Sequence, residues 1–196
     1  MYKKYLKKIL DKLLSLIFII ILIPFYIIIS LLIVIIDRNK AIYKQNRTGL
    51  NGKVFKIYKF STLKNGKVTK LGMILRTLSL DEIPQFFNVL KGDMSIVGPR
   101  PWVIEYYQNM TNKQRKRTKV LPGLIGLAQV NGRKDISIFD KINYDIEYIN
   151  NISFLLDLKI FMKAFTTIIK IDNFKVNYID LEVSQLKENK KNKGEI

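Results

Sequence analysis

Neither histidine nor cysteine occurs anywhere in this 196-residue sequence. Without imidazole or thiolate, most nucleophile and general-base schemes are closed, and polar catalysis must rest on carboxylates, lysine, tyrosine or a metal. Disulfides and thiolate metal sites are excluded as well, and an all-protein zinc site is not expected. A metal held here would be a hard, oxygen-liking ion such as Mg²⁺. Acidic residues are also scarce, 16 against 34 Lys and Arg, which gives a formal charge of +18. That excess points to an anionic partner, with nucleic acid, anionic lipid and a phosphorylated substrate all qualifying. No internal repeat is present, and no glycine spacing fits a Walker or dinucleotide motif.

What the chain has in abundance is apolar sequence, at 48% hydrophobic residues. Lys3, Lys4, Lys7, Lys8 and Lys12 precede an uncharged run from Leu13 to Ile36. As a helix this run of about 24 residues reaches roughly 36 Å, enough to cross a hydrocarbon core of about 30 Å. It is too long for a signal-peptide core and no cleavage site follows it, so it reads as a retained membrane segment. Pro24 falls near its middle, where it removes a backbone hydrogen bond and crowds the carbonyl of Ile20. Arg38, Lys40, Lys44 and Arg47 follow the run, so both flanks are basic and the positive-inside rule gives no orientation. A helix broken at Pro24 that returns to the same face satisfies both flanks. A kinked, spanning helix fits the length equally well.

From Ala41 onward the pattern turns soluble and mixed. Strand-like alternation flanks Asn51-Gly52, and Asn65-Gly66 marks a second tight turn. Leu71, Ile74, Leu75 and Leu78 are spaced for a short helix with Arg76 on another face. Ser79-Leu80-Asp81-Glu82 then sets two adjacent carboxylates where a helix is expected to run from about Asp81 to Leu90 and end at Gly92. Ser-x-x-Glu is also a capping-box pattern, and acidic first-turn residues suit the helix dipole. The local pattern alone therefore allows a purely structural role.

Further on, Gly98-Pro99-Arg100-Pro101 holds an arginine between two prolines, which restrict the backbone and aim the guanidinium. Such an arginine suits bidentate binding of phosphate or carboxylate, though a solvated surface turn fits too. The basic stretch from Thr111 to Lys119 reads as a solvated face or a lipid-surface patch. Residues 121–133 read as an apolar loop with glycines for close backbone approach, in which Gln129, Asn131 and Arg133 could supply donors. Helices are expected over 139–150 and 154–171, the second amphipathic with lysine edges and apt to lie on a membrane. The segment 187–195 is expected to be disordered. The resulting division is a membrane segment (1–40), a catalytic domain (41–178) and a basic, disordered tail (179–196). The fold class is α/β, mostly helical with a small β-hairpin or sheet.

Together the motifs resemble the small monotopic polyprenol-phosphate phosphoglycosyl transferases, the bacterial sugar transferase family. The resemblance covers roughly residues 1–175. It rests on Gln45-Asn46-Arg47-x-Gly49, the block from Phe55 through Lys59 to Phe60, Ser79 to Glu82, Asn88 to Ser95, Val97 to Pro101, Pro122-Gly123, Ala128 to Arg133 and Leu156 to Lys159. It implies transfer of a sugar-1-phosphate from a UDP-sugar to undecaprenyl (polyprenol) phosphate, releasing UMP, with Mg²⁺ as cofactor. It implies Asp81 as nucleophile and metal ligand, forming a covalent aspartyl-phosphosugar, and Glu82 as its catalytic neighbour. Arg100, Lys59, Gln129, Asn131 and Arg133 are then the substrate-binding candidates, and Asp157 a structural one. The resemblance also implies a re-entrant N-terminal helix broken at Pro24, with both flanks at the cytoplasmic face of the bacterial inner membrane. Membrane lipid is the expected environment and no nucleic-acid partner is expected. The alternative is a non-catalytic, membrane-anchored basic module that binds anionic lipid or nucleic acid. That alternative leaves the dyad and the Gly-Pro-Arg-Pro turn without a purpose.

Overall fold

The computed structural model describes residues 2–132, 136–168 and 179–194. A π-helical turn, Tyr2–Leu6, leads directly into helix α1, Lys7–Ile35, which at about 1.5 Å per residue is about 43 Å long. The helix runs on through Pro24 as one continuous α-helix. Its inward residues are Asp11, Ser15, Ile19, Tyr26, Ile29 and Ile33, a stripe at close to the helical period that Asp37 continues just past the helix end. Nearly every other position from Leu13 to Ile36 is apolar and exposed, including Ile17, Ile20, Ile21, Phe25, Ile28 and Ile35. Buried on one side and apolar on the other, α1 offers lipid a face along its whole length.

Two strands follow as a hairpin: β1, Ile42–Thr48, pairs antiparallel with β2, Val54–Phe60, in the register Ile42 to Phe60 and Thr48 to Val54. The expected turn forms at Asn51-Gly52, both at positive φ. A smaller hairpin, β3 (Leu63–Lys64) with β4 (Lys67–Val68), closes on Asn65-Gly66, again both at positive φ as a tight primed turn requires. Helix α2, Lys70–Thr77, is capped by Thr69, whose hydroxyl accepts from the Gly72 N–H.

The dyad helix begins later than its sequence suggests. Leu80–Glu82 is a single 3₁₀ turn, and α3 spans only Gln85–Lys91, with Pro84 at its threshold and Gly92 at φ +88 closing it. Ser79 sits at φ +57 and ψ 18, and its hydroxyl makes no capping bond. An N-cap needs extended backbone, so the capping box suggested by Ser-x-x-Glu does not form.

Strand β5, Ser95–Val97, pairs in parallel with β6, Gly123–Ile125. Here the glycines are required by space. A Cβ on Gly123 would lie 2.1 Å from the Gly98 nitrogen, and one on Gly98 would lie 2.7 Å from the Leu121 carbonyl oxygen. The Gly98-Pro99 and Pro122-Gly123 turns thus press backbone against backbone. Short helices α4 (Ile104–Gln108) and α5 (Asn112–Arg115) follow, the second with the capping box Thr111–Gln114. The stretch expected as an apolar loop is β6 followed by helix α6, Leu127–Gly132, because Ala128 and Val130 are drawn into the core. Helices α7, Ile138–Asn150, and α8, Phe154–Ile168, lie where helices were expected. The tail expected to be disordered carries α9, Ile179–Asn192, instead. Leu186 on α9 is fully buried among Val103, Tyr106, Met110, Ile138 and Ile142, and burying one leucine is worth about 2 kcal/mol. The domain is therefore mostly helical with small sheets.

The central core gathers Ile57, Val89, Met94, Ile96, Val97, Val130, Tyr148, Ile160 and Ala164 from β2, α3, β5 and α6 to α8. Helix α1 is fastened to this body at both ends and in the middle. Near its start Asp11 accepts from Ser95 Oγ (2.5 Å) and the Ile96 N–H (3.3 Å), and Ser15 donates to the Phe86 carbonyl at 2.6 Å. Midway Tyr26 donates to the Ile83 carbonyl at 2.7 Å. Toward its end Ile29 and Ile33 pack with Phe60 and Leu75, and Asp37 accepts from Thr69 Oγ1 at 2.7 Å.

Candidate active site

Two of the sequence-derived candidates, Lys59 and Arg100, converge on the 3₁₀ turn that carries the other two, Asp81 and Glu82. Lys59, near the end of β2, places its Nζ 2.6 Å from Glu82 Oε1 and 3.8 Å from Asp81 Oδ2. Arg100 grips Glu82 from the Gly-Pro-Arg-Pro turn with both terminal nitrogens, NH1 reaching Oε2 at 3.1 Å and NH2 bonding Oε1. Glu82 is thus the saturated member of the dyad. Asp81 is the open one: its side chain is 12% exposed, and no hydrogen bond to its carboxylate exists among the described residues.

The two neighbouring carboxyls are consequently pushed in opposite directions. Burial raises Glu82, but Arg100 and Lys59 more than reverse this and hold it well below the usual carboxylate range. Burial dominates for Asp81 and raises it, with Lys59, Arg100 and Arg76 opposing and Glu82 adding to the rise. Environments that separate two neighbouring carboxyls in this way are a feature shared with sites of acid, base and nucleophilic chemistry. The helix dipole does not account for Asp81, because the first residue of α3 lies four positions further on. Desolvation beside cations is the operative effect. Ser79, held left-handed just before the dyad, is a non-glycine residue in a sparsely populated backbone region, a form of strain that gathers at functional sites.

The scaffold around the dyad is tightly specified. Asn88, fully buried on α3, accepts from the Tyr58 N–H at 3.0 Å and donates to the Lys56 carbonyl at 2.8 Å. Its carboxamide thereby continues the β2 edge and sets Lys59 against the dyad. Arg117, expected on a solvated face, is instead 3% exposed. It pairs with Asp145 of α7 at 2.7 Å, donates to the Arg100 carbonyl at 2.8 Å and stacks 3.7 Å over the Trp102 ring. The run of basic residues around it hid this role, since only packing separates Arg117 from its exposed neighbours Lys116 and Lys119.

Other candidates fare differently. Gln129 Oε1 is buried without a partner among the described residues and stands 3.1 Å from where a Gly126 Cβ would be, and that position is itself 3.7 Å from the Arg100 N–H nitrogen. Gln129 therefore borders the arginine turn. Asn131 is exposed and its Oδ1 accepts from Lys163 of α8 at 2.6 Å, so its described bond leads to α8 and not to the dyad. Arg133 lies outside the described residues. Arg76 of α2 joins the group from a helix face that sequence periodicity did not connect with the dyad. Its Nε donates to Thr62 Oγ1 at 2.8 Å, and its charge acts on Asp81.

A buried carboxylate with no hydrogen-bond partner among the described residues, set among cations in a body that carries an exposed apolar helix, suits a membrane-associated protein that handles an anion. Comparison with known sequences agrees: the profile described as bacterial sugar transferase matches residues 2–171, and the chain belongs to that family. It is 47% identical over 130 residues to the uncharacterized sugar transferase EpsL of Bacillus subtilis (strain 168), covering 60% of this chain and 64% of that one. It is 38% identical over 186 residues to a UDP-glucose:undecaprenyl-phosphate glucose-1-phosphate transferase of Klebsiella pneumoniae, covering 84% of this chain and 39% of that one. To the exopolysaccharide production protein ExoY of Sinorhizobium fredii (strain NBRC 101917 / NGR234) it is 33% identical over 187 residues, covering 81% and 83%. The chain thus spans less than two thirds of the first two relatives.

Proposed function

We propose that this protein is a phosphoglycosyl transferase that moves a sugar-1-phosphate from a UDP-sugar to undecaprenyl or another polyprenol phosphate. The observation that carries the reading is the asymmetry of the dyad, one carboxylate saturated by Arg100 and Lys59 and the other buried, unbonded and raised. An Asp81 Oδ attacks the phosphorus that bears the sugar. The new Oδ–P bond forms as the bridging P–O bond breaks, and the electron pair leaves with UMP. An oxygen of the polyprenol phosphate then attacks the same phosphorus, and the Oδ–P bond breaks to restore the carboxylate. Poor solvation of Asp81 favours attack, because little hydration is shed on the way to the transition state. Lys59 and Arg100 stand where charge gathers on the transferring group.

Mg²⁺ fits the donor set. It is commonly held by one or two carboxylates together with substrate phosphates, and Asp81 offers unoccupied carboxylate oxygens with Glu82 adjacent. When bound, the ion would neutralise phosphate charge that otherwise repels the nucleophile.

The membrane reading follows from α1. A helix that crosses a bilayer carries its two ends to opposite sides. Here Asp11, Tyr26 and Asp37 are all bonded to one body, so the ends stay with the catalytic domain. We read α1 as entering and leaving on the cytoplasmic side of the inner membrane, with Pro24 the place where the helix yields in lipid. The exposed Phe154, Leu155, Leu158 and Met162 of α8 extend the apolar surface.

The test is UMP release from a panel of UDP-sugars with undecaprenyl phosphate and Mg²⁺. Turnover by the wild type and its loss in Asp81→Asn are expected, and full activity in Asp81→Asn would sink the nucleophile assignment. For topology, cysteines placed at positions 2 and 45 of this cysteine-free chain should both label from the cytoplasmic side. Labelling from opposite sides would exclude re-entrance.

A further inference from the structure

Beside the dyad lies a cation that the reaction outlined above does not use. Arg47 of β1 donates from NH2 to Gln45 Oε1 at 2.6 Å, and its NH1 reaches the Pro101 carbonyl at 3.5 Å. The adjacent Thr48 N–H bonds the Trp102 carbonyl at 2.9 Å, so this end of β1 is laced to the segment that carries Arg100. The Arg47 Nε–H is buried and meets no acceptor among the described residues. Among the described residues no carboxylate lies within the 4.0 Å of an ion pair, in contrast to Arg100 and Arg117, which each have one. Burial and then the like charge of Arg100 push the Arg47 guanidinium down to about 10, still fully protonated at neutral pH.

A partly buried cation with no counter-ion, set next to a second cation, is costly unless something completes it. A carboxylate could have done so and is not there. The missing partner must be anionic, must reach the outer edge of a guanidinium fork, and must be absent when the protein is empty. A phosphate oxygen pair meets all three conditions, because the fork matches it bidentately. The surrounding charge has the same sense. Arg47, Lys59, Arg76 and Arg100 all act on Asp81 or Glu82, four cations to two carboxylates. A nucleoside diphosphate sugar, with two negative charges, would neutralise the excess.

We infer that Arg47 is a second phosphate-binding arginine, which together with Arg100 holds the diphosphate of the sugar donor. The identity of that diphosphate rests on the transferase reading above, whereas the anion site itself does not. Arg100 is tied to Glu82 and so links phosphate to the dyad. Arg47 has no such tie and serves binding, so its loss should be felt in KM before kcat.

The experiment uses the full chain in lipid nanodiscs, comparing wild type, Arg47→Gln and Arg47→Lys in three measurements. These are calorimetric binding of inorganic pyrophosphate, the KM and kcat for a turned-over UDP-sugar, and the thermal midpoint. Arg47→Gln should bind pyrophosphate about tenfold or more weakly and raise donor KM in parallel, as loss of a charge-assisted contact implies, with kcat changed by less than about threefold. Arg47→Lys should fall between, because charge without the fork is only partial replacement. Unchanged pyrophosphate affinity and unchanged donor KM in either folded variant would overturn the inference, including the case where only the thermal midpoint drops. Should Arg47→Gln not fold, Arg47→Lys alone decides by the same criterion. If the wild type turns over donor while both variants match it, Arg47 is excluded and the transferase reading stands. If the wild type binds pyrophosphate through Arg47 yet transfers no sugar phosphate, the anion site stands and the transferase reading falls.

Discussion

Two clusters of buried charge lie in this small domain, and they are built to opposite rules. At the junction of α1, β5, α7 and α8, Asp157 is filled completely. Its Oδ2 accepts from Tyr2 (2.5 Å) and Lys7 (2.6 Å), and its Oδ1 accepts from Tyr148 (2.7 Å), whose hydroxyl also reaches the Val97 carbonyl. Asp11 beside it is bonded to Ser95 and Ile96. Around the dyad, among the described residues, Asp81 has no hydrogen bond, and Arg47 Nε, Gln85 Nε2 and Gln129 Oε1 are buried without partners. A buried polar group left unmade costs about 1–3 kcal/mol, so a concentration of such groups in one place sets the dyad apart from the rest of the fold. The closed cluster fastens the apolar helix to the strand that leads into Arg100, and the open one is where we propose the substrate phosphates bind.

The largest expected effect breaks the open cluster. Asp81→Asn should lower UMP release at least about a thousandfold if Asp81 is the nucleophile. The same change should raise the thermal midpoint at neutral pH. A carboxyl raised by folding stabilises the fold in acid, and that contribution is lost as pH rises through its folded value, so removing the charge at pH 7 relieves a cost. A lower midpoint in Asp81→Asn would mean that the carboxylate is satisfied after all.

Next in size is the closed cluster. Asp157→Ala removes the acceptor of three donors and leaves Lys7 with only Asp11, 3.7 Å away. A loss of about 3 kcal/mol is expected, because a broken buried pair strands its partner. Fluorescence of Trp102, the single tryptophan, can follow the unfolding. Kinetic damage without loss of stability would contradict a structural Asp157.

Glu82→Gln should sit between the two classes, lowering both activity and stability, the latter by about 1–2 kcal/mol at neutral pH. The sign follows from its depressed carboxyl, whose contribution is present above the unfolded value of 4.5 and is lost as pH falls through the lower folded value. The gap between wild type and variant should therefore narrow steadily as pH falls below 4.5, and a gap that stays constant from pH 5 down to pH 2 would argue against this origin.

The smallest effect is a shift. Lys59→Met removes the strongest opposition to the rise of the Asp81 carboxyl, so the acid limb of kcat/KM should move to higher pH. An acid limb that stays in place would assign it to another group.

Much of this was readable in the chain. The absence of histidine and cysteine directed attention to carboxylates, and Asn51-Gly52 and Asn65-Gly66 announced the two hairpins that form. The motif series named Asp81, Glu82, Lys59 and Arg100, which the fold brings together. Elsewhere neighbours in sequence misled. Ser79 has the right spacing for a cap but the wrong backbone. Arg117 looks like one of several surface cations, yet it braces the Arg100 turn. Asp157 and Asp81 each sit in a short Leu-Asp motif, and nothing local tells the anchored carboxylate from the open one.

The sequence by itself determined the inventory: a long apolar helix with basic flanks, an excess of cations, and carboxylates as the available nucleophiles. Those properties belong to residue types and short-range periodicity. Tertiary structure decided which carboxylate is closed and which is open, and that both ends of α1 stay with one body. The reason is that hydrogen-bond saturation is settled by partners remote in sequence. The bond from Tyr2 to Asp157 joins residues 155 positions apart, and Arg100 reaches Glu82 across 18.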